Sequence, residues 1–242
     1  MVKSRLLVAI PAFNEAEALP LVVESLRKNP LVKSILVIDD GSHDATYRIA
    51  KDLNLHVIRH PYNMGVGAAM RTAFIYAERH DYDFVIQIDA DGQHDDSSLV
   101  NFMSASDSFD VIVGSRFLSK ESFKVSKGRF LGMRILRFTI KYLSGVTISD
   151  STSGYRLSNR KAIKLFAEYY PAEYLGDTVT SLIIARKYGL VVGEVPVLMH
   201  QRKGGEPSQN LLKSIFHFVR TIAILHLTWI QTVERKNMEV LS

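Results

Sequence analysis

The sequence of 242 residues contains no cysteine, which excludes disulfide bonds and thiolate metal sites and leaves the redox compartment undetermined. It also lacks any run of the ~18–20 apolar residues that a membrane-spanning helix needs. The N-terminal apolar stretch is short and ends at Pro11, so we predict no signal peptide. A cytoplasmic location is therefore the expectation.

Hydrophobic residues make up 47% of the chain, which suffices for the core of one large α/β domain. The formal net charge is +5 and the sequence pI is near 9.3. This excess fits an anionic partner such as a phosphate, a nucleic acid or an acidic membrane surface, but also ordinary variation. Charge alone does not choose between them.

The first half of the chain alternates strand and helix patterns. Apolar, β-rich runs predict strands over 5–10, 34–39, 56–58, 83–89 and 110–114, with helices near 15–28, 43–53, 66–80 and 95–105. Asn14 followed by Glu17 has the spacing of a capping box at the first helix. The alternation predicts a single Rossmann-like α/β domain with a mostly parallel sheet and helices on both faces.

The second half is less regular. A basic stretch covers 116–134, a helix follows to about 144, and the segment "DSTSGYR" occupies 150–156. Helices near 159–168 and within 172–189, a strand over 190–197 and a loop over 200–210 complete the prediction. We therefore divide the chain into a domain over 1–205, with a regular half (1–114) and a less regular half (115–205), and a tail over 206–242.

Polar clusters follow the first, second and fourth predicted strands, where open α/β sheets bind ligands. In "DADGQHD", Asp89 and Asp91 lie on the same side of a strand end, and they repel each other unless a cation separates them. Mg²⁺ or Mn²⁺ suits such oxygen ligands, and Gln93 can add an amide oxygen. The alternative is a turn with helix-capping aspartates, which is the ordinary role for Asp95 and Asp96.

Four segments together, "PAFNE" (11–15), "DDGSHDAT" (39–46), "NMGVGAAMRTAF" (63–74) and "DADGQHD" (89–95), resemble the successive motifs of family 2 inverting glycosyltransferases with the A-type fold. Within that family the chain is most similar to the polyprenyl-phosphate and dolichol-phosphate mannose synthase branch. The resemblance implies an enzyme that transfers a sugar from a UDP- or GDP-sugar to a polyprenyl phosphate. It also implies that residues 1–114 are the nucleotide-binding half of the domain and residues 115–205 the acceptor half. It also implies a divalent metal held by Asp89, Asp91 and Gln93.

The resemblance further implies a set of residues that bind the nucleotide-sugar, contributed by the strand-end loops, the glycine-containing turn before the third helix and the loop after the last strand. This set is Pro11, Ala12, Asn14, Glu15, Asp39, Asp40, Gly65, Arg71, Asp89, Ala90, Asp91 and Arg202. The glycines near 65 can equally serve only a tight turn into the helix.

A lipid-phosphate acceptor is already an anionic nucleophile, so it needs cations to position it and no general base. "DSTSGYR" resembles a segment of polyprenyl-phosphate glycosyltransferases. We therefore expect acceptor contacts from Arg116, Lys127, Arg129, Arg134 and Ser153, although a solvated basic loop is the alternative. The predicted catalytic set is Asp89, Asp91, Arg116, Arg129 and Asp177.

Asp177 has two alternative roles: it either caps a helix or acts as a general base. In the second role it would favour a saccharide hydroxyl as the acceptor, which is the second functional hypothesis. A protein that binds nucleotide-sugars without turnover is the third hypothesis, which the intact Asp89/Asp91 pair disfavours.

The tail over 211–231 is apolar but interrupted by Lys213, His217, Arg220 and His226. The spacing predicts a basic amphipathic helix that lies on the inner face of the cell membrane, alone or with a small integral membrane partner. The alternative is a helix packed on the core or on a partner protein. We expect no nucleic-acid partner.

Overall fold

The structure is a computed structural model, which describes residues 4–118, 127–172, 177–198, 223–225, 227 and 230, without the side chains of 127–131. Within these ranges, seven strands form one sheet, with the bounds β1 Leu6–Ala12, β2 Ser34–Asp39, β3 His56–Arg59, β4 Phe84–Gln87, β5 Val111–Ser115, β6 Arg156–Asn159 and β7 Val192–Pro196. Their order in the sheet is β3-β2-β1-β4-β6-β5-β7. Of these seven strands, only β6 runs antiparallel to its neighbours, β4 and β5.

Within the described part of residues 4–198, seven α-helices cover the two faces of the sheet, and a 3₁₀ turn at Asp96–Ser98 precedes the fourth. The helices are α1 Leu19–Lys28, α2 Thr46–Asp52, α3 Val66–Arg79, α4 Leu99–Ala105, α5 Lys127–Ser144, α6 Arg160–Tyr169 and α7 Asp177–Lys187. The predicted α/β fold with a mostly parallel sheet is confirmed.

Strand β1 shows why helices lie on both faces. Leu7 and Ala9 pack into one core cluster, and Val8 and Ile10 into the cluster on the opposite face. Because side chains alternate along a strand, a run that is apolar at every position buries both of its faces. Because β1 pairs in parallel with both β2 and β4, the three strands end at the same edge of the sheet, with their polar loops side by side.

The sequence reading missed β6. Its four residues, "RLSN", pair with β4 in the register Gln87–Arg156 and Ile86–Leu157. A short strand with buried polar side chains gives no alternating hydrophobic signal. The strand places Gly154, two residues before it, beside Gln87 at the end of β4.

The first helix begins later than predicted, at Leu19, and its N-cap Ala18 makes no side-chain capping hydrogen bond. Asn14 instead adopts φ 55° in the loop after β1. The capping-box prediction was therefore wrong, because Asn14 bonds to a different loop.

In the acceptor half, α5 and α7 pack together, and Leu136, Ile140 and Leu143 of α5 are buried. The described positions of the predicted tail are helical, and Leu225 is fully buried in the same core cluster. The rest of the tail lies outside the described residues. Within the described ranges, no helix combines the length and the apolarity needed to cross a bilayer.

Candidate functional site

A cleft of about 340 Å³ lies at the carboxyl ends of β1, β2 and β4. It brings together residues from four segments that are far apart in the sequence. The predicted nucleotide-sugar residues that line it are Pro11, Ala12, Glu15, Asp40, Gly65, Asp89, Ala90 and Asp91, joined by Phe13, Asn63, Val66 and Ala69.

The loop after β1 is held by the turn after β2. The backbone N–H of Asn14 donates to Ser42 Oγ over 3.0 Å, and the Asn14 side chain accepts from the N–H of His43 over 2.9 Å. The N–H of Glu15 donates to Thr46 Oγ1 over 2.8 Å. Two predicted motifs are thus one hydrogen-bonded unit, which fixes the wall of the cleft.

Asp40 organises the loop that leads into α3. Its carboxylate accepts from the N–H of Met64 over 3.0 Å and from that of Gly65 over 2.7 Å. Its Oδ1 also lies 2.7 Å from Nδ1 of His60, whose Nε2 is 2.9 Å from Thr72 Oγ1. The sequence reading missed His60, which bridges the β2 end and α3.

Asp39 is completely buried and does not line the cleft. Its Oδ1 accepts from the N–H of Ser42 over 3.1 Å. Arg59 Nε lies 3.0 Å from Oδ2, in an ion pair without the alignment of a hydrogen bond. Gly41 has φ +73°, and a Cβ there would lie 2.4 Å from the carbonyl carbon of Tyr62, so this turn requires glycine.

Asp89 lies just beyond β4 with its side chain 38% exposed. Gln87 Nε2 donates to its Oδ1 over 3.2 Å, and its backbone N–H donates to His94 Nδ1 over 3.2 Å. The nearly buried His94 ring also brings Nε2 to 3.6 Å from Oδ2. The carboxylate is therefore oriented from its own strand and from the following turn.

Asp91 lines the same cleft as Asp89, and its Oδ1 accepts from the N–H of Gln93 over 3.0 Å. Among the described residues, no three His, Asp or Glu side chains are grouped to hold a metal ion by themselves. Two carboxylates bordering an open cleft nevertheless fit Mg²⁺ or Mn²⁺, because such ions keep several positions for water and substrate phosphate.

The segment before β6 covers Asp89. A Cβ on Gly154 would lie 3.1 Å from Oδ2 of Asp89 and 3.0 Å from Nε2 of Gln87. Beside it, the Tyr155 ring stacks on His94 at 4.6 Å between centroids, and its hydroxyl donates to the carbonyl of Asp95 over 3.2 Å. Burial raises the pKa of Tyr155, so it remains a neutral donor.

Arg156 is 6% exposed and links this segment to α7. Its guanidinium donates to the carbonyls of Ser153 over 2.8 Å, Ser151 over 2.9 Å and Thr178, and to Ser181 Oγ over 3.1 Å. Burial lowers its pKa, and surrounding acidic groups oppose that effect. Neither Gly154 nor Arg156 was in the predicted site, although both belong to the quoted "DSTSGYR" motif.

Asp177 is the first residue of α7 and is 1% exposed. Tyr170 donates its hydroxyl to Oδ2 over 3.3 Å. Burial raises the pKa of Asp177 to about 6, while the charge of Arg156 acts in the opposite direction. A base for an external hydroxyl must reach its proton directly or through one water, so this burial is unfavourable for that role.

Arg116 forms a two-pronged ion pair with the fully buried Asp150. Nε lies 2.6 Å from Oδ2 and Nη2 lies 2.8 Å from Oδ1, and Nη2 also donates to Thr152 Oγ1 over 3.1 Å. Arg116 thus anchors the start of the 150–156 segment. Its predicted contact with the acceptor stays a prediction.

The other predicted cations are dispersed. Arg71 does not line the cleft, and its Nη2 donates to the carbonyl of Glu168 in α6 over 2.9 Å. Arg134 is exposed on α5, whereas Ser153 is buried. The side chains of Lys127 and Arg129, and the whole of Arg202, lie outside the described residues.

Sequence comparison identifies related proteins with assigned activities. The profile described as "Glycosyl transferase family 2" matches residues 7–166. The UDP-N-acetylglucosamine–dolichyl-phosphate N-acetylglucosaminyltransferase of Methanococcus voltae is 34% identical over 211 residues, 78% of this chain and 82% of the relative. The polyprenol monophosphomannose synthase of Mycolicibacterium smegmatis is 34% identical over 210 residues, 83% of this chain and 79% of the relative.

Solved structures share the fold at low identity. Glucosyl-3-phosphoglycerate synthase from Mycobacterium tuberculosis, in complex with Mn²⁺, UDP and glucosyl-3-phosphoglycerate, superposes with a TM-score of 0.68 at 18% identity. The similarity covers 93% of this chain and 80% of that one. The same enzyme is also known with Mg²⁺ and UDP, with a TM-score of 0.68 at 16% identity over 95% of this chain and 79% of that one.

Proposed function

The chain belongs to glycosyl transferase family 2 and is a glycosyltransferase, and from this premise we propose that it transfers a sugar from a nucleotide-sugar to a polyprenyl phosphate. The donor is UDP- or GDP-linked, the reaction inverts the anomeric configuration, and a divalent metal is required. The proposed product is a polyprenyl-phosphate sugar.

Binding of a nucleotide-sugar donor is supported by one observation above all: Asp89 and Asp91 line the same cleft as the loops after β1 and β2. A Mg²⁺ or Mn²⁺ ion held by these carboxylates, with Gln93 as the proposed third ligand, would neutralise charge on the leaving diphosphate. Gln87, His94 and Gly154 then keep the Asp89 carboxylate aimed into the cleft.

The acceptor class rests on the relatives. The Methanococcus voltae enzyme is named for a dolichyl-phosphate acceptor, and an undecaprenyl-phosphate mannosyltransferase of Micrococcus luteus is 28% identical over 220 residues, 85% of this chain and 88% of the relative. The buried position of Asp177 supports the same choice, because a phosphate acceptor is already ionised and needs no base.

A polyprenyl phosphate resides in a membrane, so we propose that the enzyme works as a peripheral protein on the cytoplasmic membrane face. The predicted tail helix is one candidate for the attachment. Its interfacial role stays a prediction, and the buried Leu225 shows that part of it packs on the core.

The decisive experiment incubates the purified protein with separate nucleotide-sugars, a polyprenyl phosphate and Mg²⁺ or Mn²⁺, followed by mass spectrometry of the lipid fraction. We expect one donor to give a glycosylated lipid phosphate and free nucleoside diphosphate. Transfer to a saccharide, with none to the lipid, would contradict the proposed acceptor. Full activity in EDTA would contradict the metal.

The acceptor cations need their own test. Arg129→Ala is expected to raise the KM for the lipid phosphate, to lower kcat, or both, since a charge-assisted phosphate contact contributes about 1.5–3 kcal/mol. The KM for the nucleotide-sugar should stay within about threefold of the wild-type value, because the lost contact is on the acceptor. A change confined to the donor KM would place Arg129 on the other substrate.

A further inference from the structure

His60 is a buried histidine that follows the edge strand β3, and it is 8% exposed. Strand β3 runs parallel to β2, and the last pair in their register is Asp39 with Arg59. The next residue along each segment is therefore Asp40 on one side and His60 on the other. A polar ring in this position needs partners inside the protein, because little of it reaches water.

Both ring nitrogens of His60 have such a partner. Nδ1 lies 2.7 Å from Oδ1 of Asp40, and Nε2 lies 2.9 Å from Oγ1 of Thr72. A carboxylate can only accept a hydrogen bond, so Nδ1 carries the proton of the first contact. Thr72 belongs to α3 and lies about two helical turns after Gly65. His60 thus joins the end of β2 to the middle of α3.

Asp40 extends this constraint to the loop that precedes α3. Its Oδ1 also accepts from the N–H of Met64 over 3.0 Å, and its Oδ2 accepts from the N–H of Gly65 over 2.7 Å. Gly65 is the N-cap residue of α3. His60, Asp40 and these two amides, which we call the Asp40 clamp, therefore fix the point at which α3 begins.

Apolar packing alone would hold α3 less firmly in place. The helix lies on β1 and β2, and its buried side chains include Ala69, Met70, Ala73, Phe74 and Ala77. The hydrophobic effect that drives this burial is non-directional. Hydrogen bonds, in contrast, weaken steeply when their angle changes. The Asp40 clamp therefore decides where the start of α3 lies relative to the edge of the sheet.

The start of α3 borders the candidate cleft. Asn63, Gly65 and Val66, which we call the donor wall, line this cleft together with Asp40. We propose that His60 is a positioning residue for the nucleotide-sugar donor, because it fixes the donor wall through Asp40. The inference rests on the proposed function in one respect: the cleft must bind a nucleotide-sugar.

The expected effect of His60 is on donor binding and not on the chemical step. The donor wall contains no titratable side chain that could take part in the reaction. The carboxylate of Asp89 is oriented by Gln87 and His94, which are not part of the Asp40 clamp. A wall that binds the donor equally well in the ground state and in the transition state changes KM and leaves kcat unchanged.

Two amide substitutions separate the two contacts of the ring. In His60→Asn the amide nitrogen takes the place of Nδ1, because both atoms are bonded to Cγ, and it can still donate to Asp40. In His60→Gln the side chain is one carbon longer, so its nitrogen falls near the place of Nε2 and faces Thr72. The two variants bury the same polar group and differ in the partner that they keep. His60→Leu removes both contacts.

Titration calorimetry measures nucleotide binding without any turnover. The probes are UDP and GDP, each with Mg²⁺, and we expect the wild type to bind one of them. His60→Gln and His60→Leu should raise its dissociation constant about tenfold or more, since a hydrogen bond to a charged acceptor is lost. His60→Asn should stay within about threefold of the wild-type value. His56→Leu, at an exposed position of β3, is the control and should bind like the wild type.

Steady-state kinetics with the active nucleotide-sugar distinguishes positioning from a general loss of structure. The donor KM should rise in parallel with the dissociation constant, whereas kcat and the KM for the lipid phosphate should stay within about threefold. A fall in kcat at an unchanged donor KM, or equal effects of His60→Asn and His60→Gln, would overturn the proposal. Urea denaturation shows which variants are folded, and the two amide variants decide if His60→Leu is not.

A spectroscopic measurement on the wild type needs no functional variant. Nitrogen NMR of the protein with isotope-labelled histidine shows which ring nitrogens of His60 carry a proton, and His60→Asn identifies the signal. Nδ1 should be protonated at the pH of the binding measurements. A neutral ring protonated only at Nε2 would contradict the hydrogen bond to Asp40 and with it the clamp.

The outcomes separate this inference from the proposed function. If the wild type binds neither nucleotide and transfers no sugar, the proposed function fails and the inference fails with it. If the wild type binds a nucleotide and transfers sugar, but His60→Gln has the wild-type donor KM, only the inference is wrong.

Discussion

Gly154 lies against the carboxylate of Asp89: a Cβ at position 154 would stand 3.1 Å from Oδ2 and 3.2 Å from Oδ1. The two residues belong to antiparallel neighbours, since Gly154 precedes β6 and Asp89 follows β4. The backbone before β6 thus forms one side of the candidate metal site, and any side chain there would have to displace the carboxylate.

Gly154→Ala should lower kcat at least about tenfold, because displacements of well under 1 Å at a reacting centre are costly. Steady-state kinetics with a saturating acceptor measures the effect. Gly145→Ala is the control: nothing lies within 4 Å of its Cβ, but φ is +71°. It should lose about 1 kcal/mol of stability and keep its activity. Full activity in Gly154→Ala would show that the position of the Asp89 carboxylate does not limit kcat.

Asp89→Asn and Asp91→Asn should each lower turnover by at least ~100-fold, because a pre-organised charge stabiliser contributes that much. Thermal unfolding should show that both variants fold, since removing carboxylate repulsion does not destabilise. The control is Asp96→Asn in the same turn, whose Oδ2 accepts a 3.1 Å hydrogen bond from the exposed Ser25 hydroxyl. Wild-type rates in either of the first two variants would remove the metal from the mechanism.

Asp177→Asn distinguishes the two acceptor classes. If the acceptor is a phosphate, activity should stay within about tenfold of the wild type, because no proton has to be removed. The asparagine can still accept the hydrogen bond of Tyr170. Near-complete loss of transfer in a folded protein would favour a hydroxyl acceptor with Asp177 as its base.

The same variant should alter the pH dependence of stability. Burial raises the pKa of Asp177 from 3.8 to about 6, so its stabilising contribution is complete below 3.8 and is lost as pH rises through about 6. Relative to Asp177→Asn, the wild type should lose roughly 1 kcal/mol of unfolding free energy between about pH 5 and about pH 7.5. Urea denaturation at both values measures it, and a pH-independent difference would contradict the buried carboxyl.

Arg116→Ala should lower the free energy of unfolding by about 3–5 kcal/mol, because it leaves the fully buried Asp150 without its charge partner. Arg48→Ala is the control, since Arg48 and Asp52 are both largely exposed and their pair contributes at most about 1 kcal/mol. Denaturant unfolding compares the two. If Arg116→Ala is as stable as the wild type and has a raised KM for the lipid phosphate, Arg116 binds the acceptor, as the sequence predicts.

Much of the donor side was predictable because its signals are local. The strands of the parallel sheet are apolar runs, and the strand-end clusters around Pro11, Asp40 and Asp89 follow them directly in the sequence. Since parallel strands end at one edge, these clusters had to meet, and the cleft that they line follows from that rule.

The acceptor side was harder to predict from the sequence, because its residues contact partners that are distant in the sequence. Arg116 is paired with Asp150, and Arg71, expected near the nucleotide, bonds to α6. The partner of neither arginine can be predicted from its neighbours in the sequence. A cation in a basic stretch has the same local pattern whether it faces a ligand or a buried carboxylate.

The sequence by itself determined the α/β class, the family and the carboxylate pair, because each can be recognised from residues that are close together in the sequence. Only the tertiary structure decided that β6 enters the sheet antiparallel beside β4 and sets Gly154 against Asp89. That pairing joins segments more than sixty residues apart in the sequence. The strand β6 gives no alternating hydrophobic pattern, because Arg156 and Ser158 are polar although they are buried. Their polar groups become acceptable in the core only when the folded chain supplies the hydrogen bonds.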